Sequence, residues 1–389
     1  MRPAAVGLCV RVVHPDLDPA LPMWGDAAEG WVSPALDWVG TLAAAGVPFT
    51  AGPDAVSDDG RGLLLLPDPD AVEVPVSPGR PVVVGPPPVG AQARLRVLAQ
   101  ALGALVVPDL RGVLLLRLDD PGAAVKCHLD WWKHGDVEPA SGAALWDALG
   151  PEGAVSLFCC TGFVRDDGTV VDSRTERPDE WAELDEGVRR GAAVLECHGH
   201  THMDPDTTAW AAAPDKHTAD HWYRELWPPR LPAEPDVAAQ EAVLRKWQDR
   251  AGPGTSLVAP GECWGTATVT AARRRGFALL NSWGVCRLQL PVPTWSRGIS
   301  SPYLDEADPV HLSEGLPAVG YWHDRDMALH GERWAPAQLA AWKDCGAQRL
   351  WSFDRLATAY RTPVEAVLDA GEVRVVTRPA TPLRVVLPD

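Results

Sequence analysis

Asp119 and Asp120 stand side by side at the end of the apolar run Val113-Leu114-Leu115-Leu116-Arg117-Leu118. Adjacent carboxylates raise each other's pKa, so a cation beside them is one way to keep both ionised. A plain turn before Pro121-Gly122 is the structural alternative. A second apolar run leads into Glu196-Cys197-His198-Gly199-His200-Thr201-His202-Met203-Asp204, which holds three of the chain's 11 histidines at alternate positions. Imidazole nitrogens this close together suit a divalent transition metal; three separately hydrogen-bonded histidines on a surface turn are the alternative. His200, between the other two, is expected to point away from a metal held by His198 and His202, because alternate residues of an extended segment face opposite sides.

A third group, Tyr321-Trp322-His323-Asp324-Arg325-Asp326, puts a histidine at a strand end beside carboxylates that can orient it, the layout of a general acid near neutral pH. A surface hydrogen bond from His323 to an aspartate is the simpler reading. Val258-Ala259-Pro260-Gly261-Glu262-Cys263-Trp264-Gly265 ends another strand, and its glycines let backbone approach a ligand. Glu262 is a candidate there, although a turn accounts for the same residues. Trp131, Trp132 and Trp264, with Trp210, Trp222 and Trp227 further along, either stack on a substrate ring or fill core.

These residues need a scaffold that brings strand ends together. Apolar runs at Val113–Leu118, Ala154–Cys159, Ala193–Cys197, Ser256–Ala259, Phe277–Asn281, Ala318–Trp322 and Arg349–Ser352 alternate with helical stretches. The first six are followed at once by polar or small residues, where α/β folds place their chemistry. Before them, strands at Val6–Val13, Gly62–Pro67 and Pro81–Val84 and helices at Pro34–Ala45 and Ala91–Ala104 predict a small parallel α/β layer similar to a flavodoxin or amidotransferase domain. It carries neither a nucleophilic cysteine nor a GxGxxG at its strand ends, and a structural or substrate-shaping role is expected. The domains are thus expected at 1–108, 109–360 and 361–389, the last holding β segments at Glu372–Val376 and Leu383–Leu387.

Composition narrows the partners. The chain has 389 residues, 46% hydrophobic and 22% charged, with a formal net charge of −17 and no Lys/Arg-rich run. Such a field repels phosphate backbones and anionic lipid, so neither nucleic acid nor membrane is expected as a partner. Eight cysteines without a CxxC pair, and an N-terminus without a secretory signal, predict reduced thiols and a cytoplasmic protein.

Taken in order, Asp119-Asp120, the His198/His202 pair, the Pro/Gly strand end Ala259–Gly265 and His323-Asp324 resemble the NodB-homology polysaccharide deacetylases, carbohydrate esterase family 4. In that family the first motif reads Thr-Phe-Asp-Asp-Gly, the second His-(Ser/Thr)-x-x-His, and the last ends near Leu-x-His-Asp. The resemblance spans about 109–360 and implies a distorted (β/α) barrel with seven strands, with Asp119 as base, Asp120, His198 and His202 as metal ligands, and His323 as acid. His200, Asp324, Glu262, Trp131, Trp132 and Trp264 would contact substrate or support these groups from behind. There are departures. The Gly after the aspartates is Pro121, the Ser/Thr after His198 is Gly199, and the arginine that holds the base from the third motif is missing at Ala259-Pro260. A fourth motif with Asp and Trp is not legible between Asn281 and Asp305.

The implied chemistry is metal-dependent hydrolysis of an amide, with Zn²⁺ the best match to one carboxylate and two imidazoles. An N-acylated sugar or biosynthetic intermediate would be the substrate. An amidohydrolase or PHP-type metal hydrolase is a rival, but those folds carry His-x-His on the first barrel strand, whereas two strands precede it here. A non-catalytic sugar- or peptide-binding protein with a structural metal is the rival of another class. Its chief support is the missing arginine.

Overall fold

The computed structural model describes residues 10–14, 34–47, 49–52, 63–68, 80–121, 128–133, 142–282, 284–289, 294–296, 299, 301–361, 365–369, 372–376 and 382–388. Cys9, Cys127 and the first half of the strand expected at Val6–Val13 lie outside them.

The N-terminal layer is a four-stranded sheet of β1 (Val10–Val13), β2 (Phe49–Gly52), β3 (Leu63–Leu66) and β4 (Val82–Val84), in the order β2-β1-β3-β4. Every pairing is parallel. Helices Pro34–Ala44 and Ala91–Leu102 accompany this sheet. β5 (Leu105–Pro108) leaves it and pairs antiparallel with the C-terminal strand Leu383–Val386.

A nine-stranded, curled and open sheet carries the candidate site. It contains β6 (Val113–Asp119), β7 (Val155–Cys159), β10 (Ala193–Cys197), β11 (Ser256–Val258), β12 (Leu279–Asn281), β13 (Val285–Arg287), β14 (Thr294–Ser296), β15 (Ala318–His323) and β16 (Arg349–Trp351), while β8 (Gly162–Val164) and β9 (Val170–Asp172) form a separate hairpin. Seven of the nine strands pair in parallel, and β13 and β14 extend the β12 edge antiparallel. β16 pairs with the first half of β6, and β7 with its second half. Near-continuous apolar runs suit these strands because both faces are covered: all seven side chains of β6 are buried, including Arg117 and Asp119.

Sequence patterning located the seven parallel strands of the curled sheet, together with β3 and β4, to within a few residues. It also placed β18 (Glu372–Val376), but did not reveal β2, β5, β8/β9, β13/β14 or β17 (Glu365–Asp369), the hairpin partner of β18, since strands this short are read from pairing rather than from periodicity.

The N-terminal layer and the curled sheet share one hydrophobic core, from Val10 through Trp351 to Val386. Arg287 on β13 is buried and donates to the carbonyls of Ala43 (3.5 Å) and Val47 (3.4 Å) at the end of helix Pro34–Ala44. Its guanidinium also lies 4.3 Å from the ring centre of Tyr360, whose hydroxyl donates to Ala44 O at 3.0 Å. A cation at a helix C-terminus meets carbonyls that lack helical partners, so the layers are joined by polar bonds as well as apolar packing. No helix among the described residues is long and apolar enough to cross a membrane.

Candidate metal centre

Strand pairing assembles the site. Asp119 and His323, the last residues of β6 and β15, are register partners, and β7 and β10 run parallel beside them to carry the chain into His198. Asp120, His198 and His202 are each buried, and one ligand atom from each lies within 4.8 Å of the others. His198 Nε2 is 3.2 Å and His202 Nε2 3.7 Å from Asp120 Oδ1, with the imidazoles nearly perpendicular. His198 Nδ1 meets the carbonyl of Val258 at 3.0 Å. A proton assigned to that nitrogen leaves the Nε2 lone pair facing the aspartate, the usual way a ligand imidazole is oriented. Burial alone would raise the pKa of Asp120, but His202 and His198 hold it below the usual carboxylate range. His198 is pushed the other way: burial lowers its pKa, and Asp120 more than restores it.

Neither oxygen of the buried Asp120 carboxylate has a hydrogen-bond partner. A buried carboxylate without donors is costly, and a cation between it and two imidazole nitrogens removes that cost. The donor set of one oxygen and two nitrogens fits a divalent transition metal with open coordination positions.

Backbone strain concentrates here. The described non-glycine residues with positive φ are Asp120 (60°), His202 (63°) and Glu262 (60°), all at this centre. The segment 198–202 is therefore a turn and not the extended stretch that alternation assumed. Glu225 holds the turn: its carboxylate accepts the backbone N–H groups of His200 (2.7 Å), Thr201 (3.0 Å) and His202 (3.1 Å) and the Thr201 hydroxyl (2.9 Å). Burial pushes Glu225 up to about 7 against these bonds. A β-carbon at Gly199 would stand 2.3 Å from Glu225 Oε2 and 2.7 Å from Pro260 Cγ, at φ +75°, so the Ser/Thr of the deacetylase motif does not fit this turn. His200 leaves the centre. Its Nδ1 meets Thr161 Oγ1 at 3.0 Å, its ring packs against Gly162, and burial lowers its pKa to about 4.

The expectation that no arginine holds Asp119 is corrected. Arg117, two residues earlier on the same strand, brings Nε within 2.9 Å of both Asp119 oxygens and Nη2 within 2.5 Å of one. Side chains at i and i+2 share a face of a strand, so the cation comes from below the carboxylate. Glu262, in the turn after Ala259-Pro260, accepts from Arg117 Nη2 at 2.9 Å, and Arg117 Nη1 donates to Ser282 O at 3.0 Å. A single arginine inside an otherwise apolar run was the sequence signal for this. Glu225, separated from the turn it holds by more than 20 residues, left none.

His323 is oriented by Asp326 rather than Asp324. Its backbone N–H donates to Asp326 Oδ2 at 2.9 Å, and Nδ1 lies 3.8 Å from the same oxygen. Asp324 accepts from Arg325 N at 2.7 Å, and burial, with Asp120 nearby, raises its pKa well above the usual range. Trp132 packs edge-on to His323, Trp131 is 52% exposed beside it, and His134 lies outside the described residues. Trp264 is buried in the main core, and Trp210 and Trp222 in a smaller cluster with Leu129, Met203 and Tyr223.

No protein-family model matches the chain. No curated protein matches it either. Among solved structures, it is similar to a putative polysaccharide deacetylase from Mycobacterium smegmatis, at 14% identity over 65% of this chain and 92% of that one, with a TM-score of 0.40. It is also similar to a family 4 carbohydrate esterase from Streptomyces lividans (13% identity, 59% and 88% coverage, TM-score 0.30). A third is a carbohydrate esterase family 4 pseudoenzyme from Bacillus anthracis (10% identity, 64% and 66% coverage, TM-score 0.33). Likenesses this distant leave the function to the side chains.

Proposed function

We propose that the protein is a metal-dependent hydrolase that removes an acyl group, acetyl in the simplest case, from the nitrogen of an amino sugar or small biosynthetic intermediate. The observation that carries this reading is the adjacency of two differently held aspartates: Asp120 without hydrogen-bond donors beside His198 and His202, and Asp119 ion-paired to Arg117 in register with His323.

Asp120, His198 and His202 would hold the metal, which we take to be zinc. When bound, it supplies Lewis acidity to a water and to the acyl oxygen. The rest falls to the chain. Asp119, fixed by Arg117, accepts the proton of the attacking water through a carboxylate oxygen. His323 delivers a proton to the amide nitrogen, so that the C–N bond breaks to give a carboxylate and a free amine. Asp326 balances the charge on His323 while it carries that proton. The case for a non-catalytic binding protein was an Asp119 without a cation, and Arg117 removes that ground.

Release of carboxylate and amine from N-acetylated sugars by zinc-loaded protein tests the reading. Asp119→Asn and His323→Ala should each lower kcat/KM by about 10²- to 10⁴-fold, the range for acid–base groups, with metal content unchanged by elemental analysis. Full activity in either variant, or no hydrolysis of any N-acyl substrate by the wild type, would overturn it.

A further inference from the structure

We propose that Trp132, clamped by Arg325, is a positioning residue for His323, so that the step served is protonation of the leaving group. The inference rests on the deacylase reading for its kinetic arm and on geometry alone for the other.

His323 is 8% exposed, yet its Nδ1 has no hydrogen-bond partner, the 3.8 Å to Asp326 being too long for one. Through Nδ1, Asp326 therefore acts on the imidazole chiefly as a nearby charge, and the packing against the ring has a share in its orientation. Trp132 does the packing, with ring centres 4.8 Å apart and planes at 83°. Tyr321, on the same strand as His323, is more distant at 6.0 Å. An edge-to-face aromatic contact is directional, so it selects a ring orientation that a distant carboxylate would leave loose.

Trp132 is itself fixed from both sides. Arg325 Nε donates to Trp132 O at 2.7 Å, its guanidinium lies 4.4 Å from the indole centre, and Nη1 is 3.9 Å from Asp326 Oδ1. One arginine thus ties together the two neighbours that orient His323. On the other side, the segment carrying Trp132 hangs from the excursion that follows the histidine turn: Asp130 N–H donates to His217 O at 2.9 Å, and His217 Nδ1 meets His128 O at 2.8 Å. The same excursion supplies Glu225 to the turn holding His198 and His202. Metal ligands and acid are braced by one piece of chain.

The test compares Trp132→Ala and Trp132→Phe with wild type in zinc-loaded protein on two substrates. One is 4-nitrophenyl acetate, whose phenolate departs without a proton, and the other is N-acetylglucosamine, whose amine does not. Trp132→Ala should reduce kcat on the amide at least tenfold more than on the ester, with KM for the amide within about threefold, and Trp132→Phe should recover most of the loss. Equal losses on both substrates, or none, would overturn the proposal. In parallel, ¹⁵N-histidine NMR should give one sharp imidazole set for His323 in wild type and Trp132→Phe, and shifted or broadened signals in Trp132→Ala. Unchanged signals in Trp132→Ala would overturn it even were neither substrate hydrolysed, an outcome that would count against the deacylase reading only.

Discussion

Arg117→Met should be the most damaging single change at the site, and its cost can be worked from the contacts. The guanidinium, 2% exposed, neutralises Asp119, at 3%, and Glu262, at 25%, and also donates to Ser282 O. Methionine fills much of the volume but leaves two carboxylates facing each other without a cation. Removing one partner of a buried ion pair costs about 3–5 kcal/mol, most of it the stranded charge. Glu262→Gln in the same chain removes one of those charges, so the double variant should recover about 1–2 kcal/mol of stability, within the coupling energies seen between groups in direct contact. It should not recover activity, because Asp119 would still lack the fork that fixes it. Chemical denaturation of the metal-free proteins reads the stability, and hydrolysis of an N-acetylated sugar with zinc bound reads the chemistry. Arg117 does not touch the triad, so metal content should stay near one equivalent. If Arg117→Met unfolds within 1 kcal/mol of wild type and keeps its kcat/KM, the ion pair neither stabilises the fold nor serves the base.

Elemental analysis should find about one divalent ion per chain, lost in His202→Ala and kept in His200→Ala; the reverse pattern would move the ligand pair onto His200. Gly199→Ser should cost about 1–3 kcal/mol, as expected for a strained φ and a displaced buried carboxylate, together with metal affinity, and unaltered zinc binding would show that the turn tolerates a side chain. Burial raises the Glu196 carboxyl from 4.5 to about 8 while its Oε2 accepts the N–H groups of Thr255 and Ser256. A group whose folded pKa is raised gives stability that is complete below the unfolded value and lost as pH climbs to the folded one. The metal-free protein should therefore lose on the order of 1.4 kcal/mol per pH unit from this group between pH 4.5 and about 8. Glu196→Gln, which keeps an acceptor oxygen, should flatten that slope in denaturation measured across the interval, and identical slopes in the two proteins would exclude Glu196 as its source.

Several features of the site were legible in the residues themselves. The apolar runs ending in Asp119-Asp120, His198 and His323 were visible because a strand covered on both faces needs uninterrupted apolar residues and then stops at polar ones. Three histidines so close together pointed to a candidate cation site without any fold, of which the fold brings His198 and His202 to Asp120. What joined them was decided by tertiary structure: the β6–β15 register set Asp119 beside His323, and the turn at 198–202 exists because Glu225, more than 20 residues away, accepts its N–H groups. Arg117 shows the boundary most sharply. Its type and place are visible in the strand, two positions before Asp119, but only the folded chain shows that its guanidinium turns onto that carboxylate. Local sequence determines which face of a strand a side chain takes, whereas its partner is set by what the folded chain brings against that face, and in a buried site a charge must be matched by whatever counter-charge lies within reach.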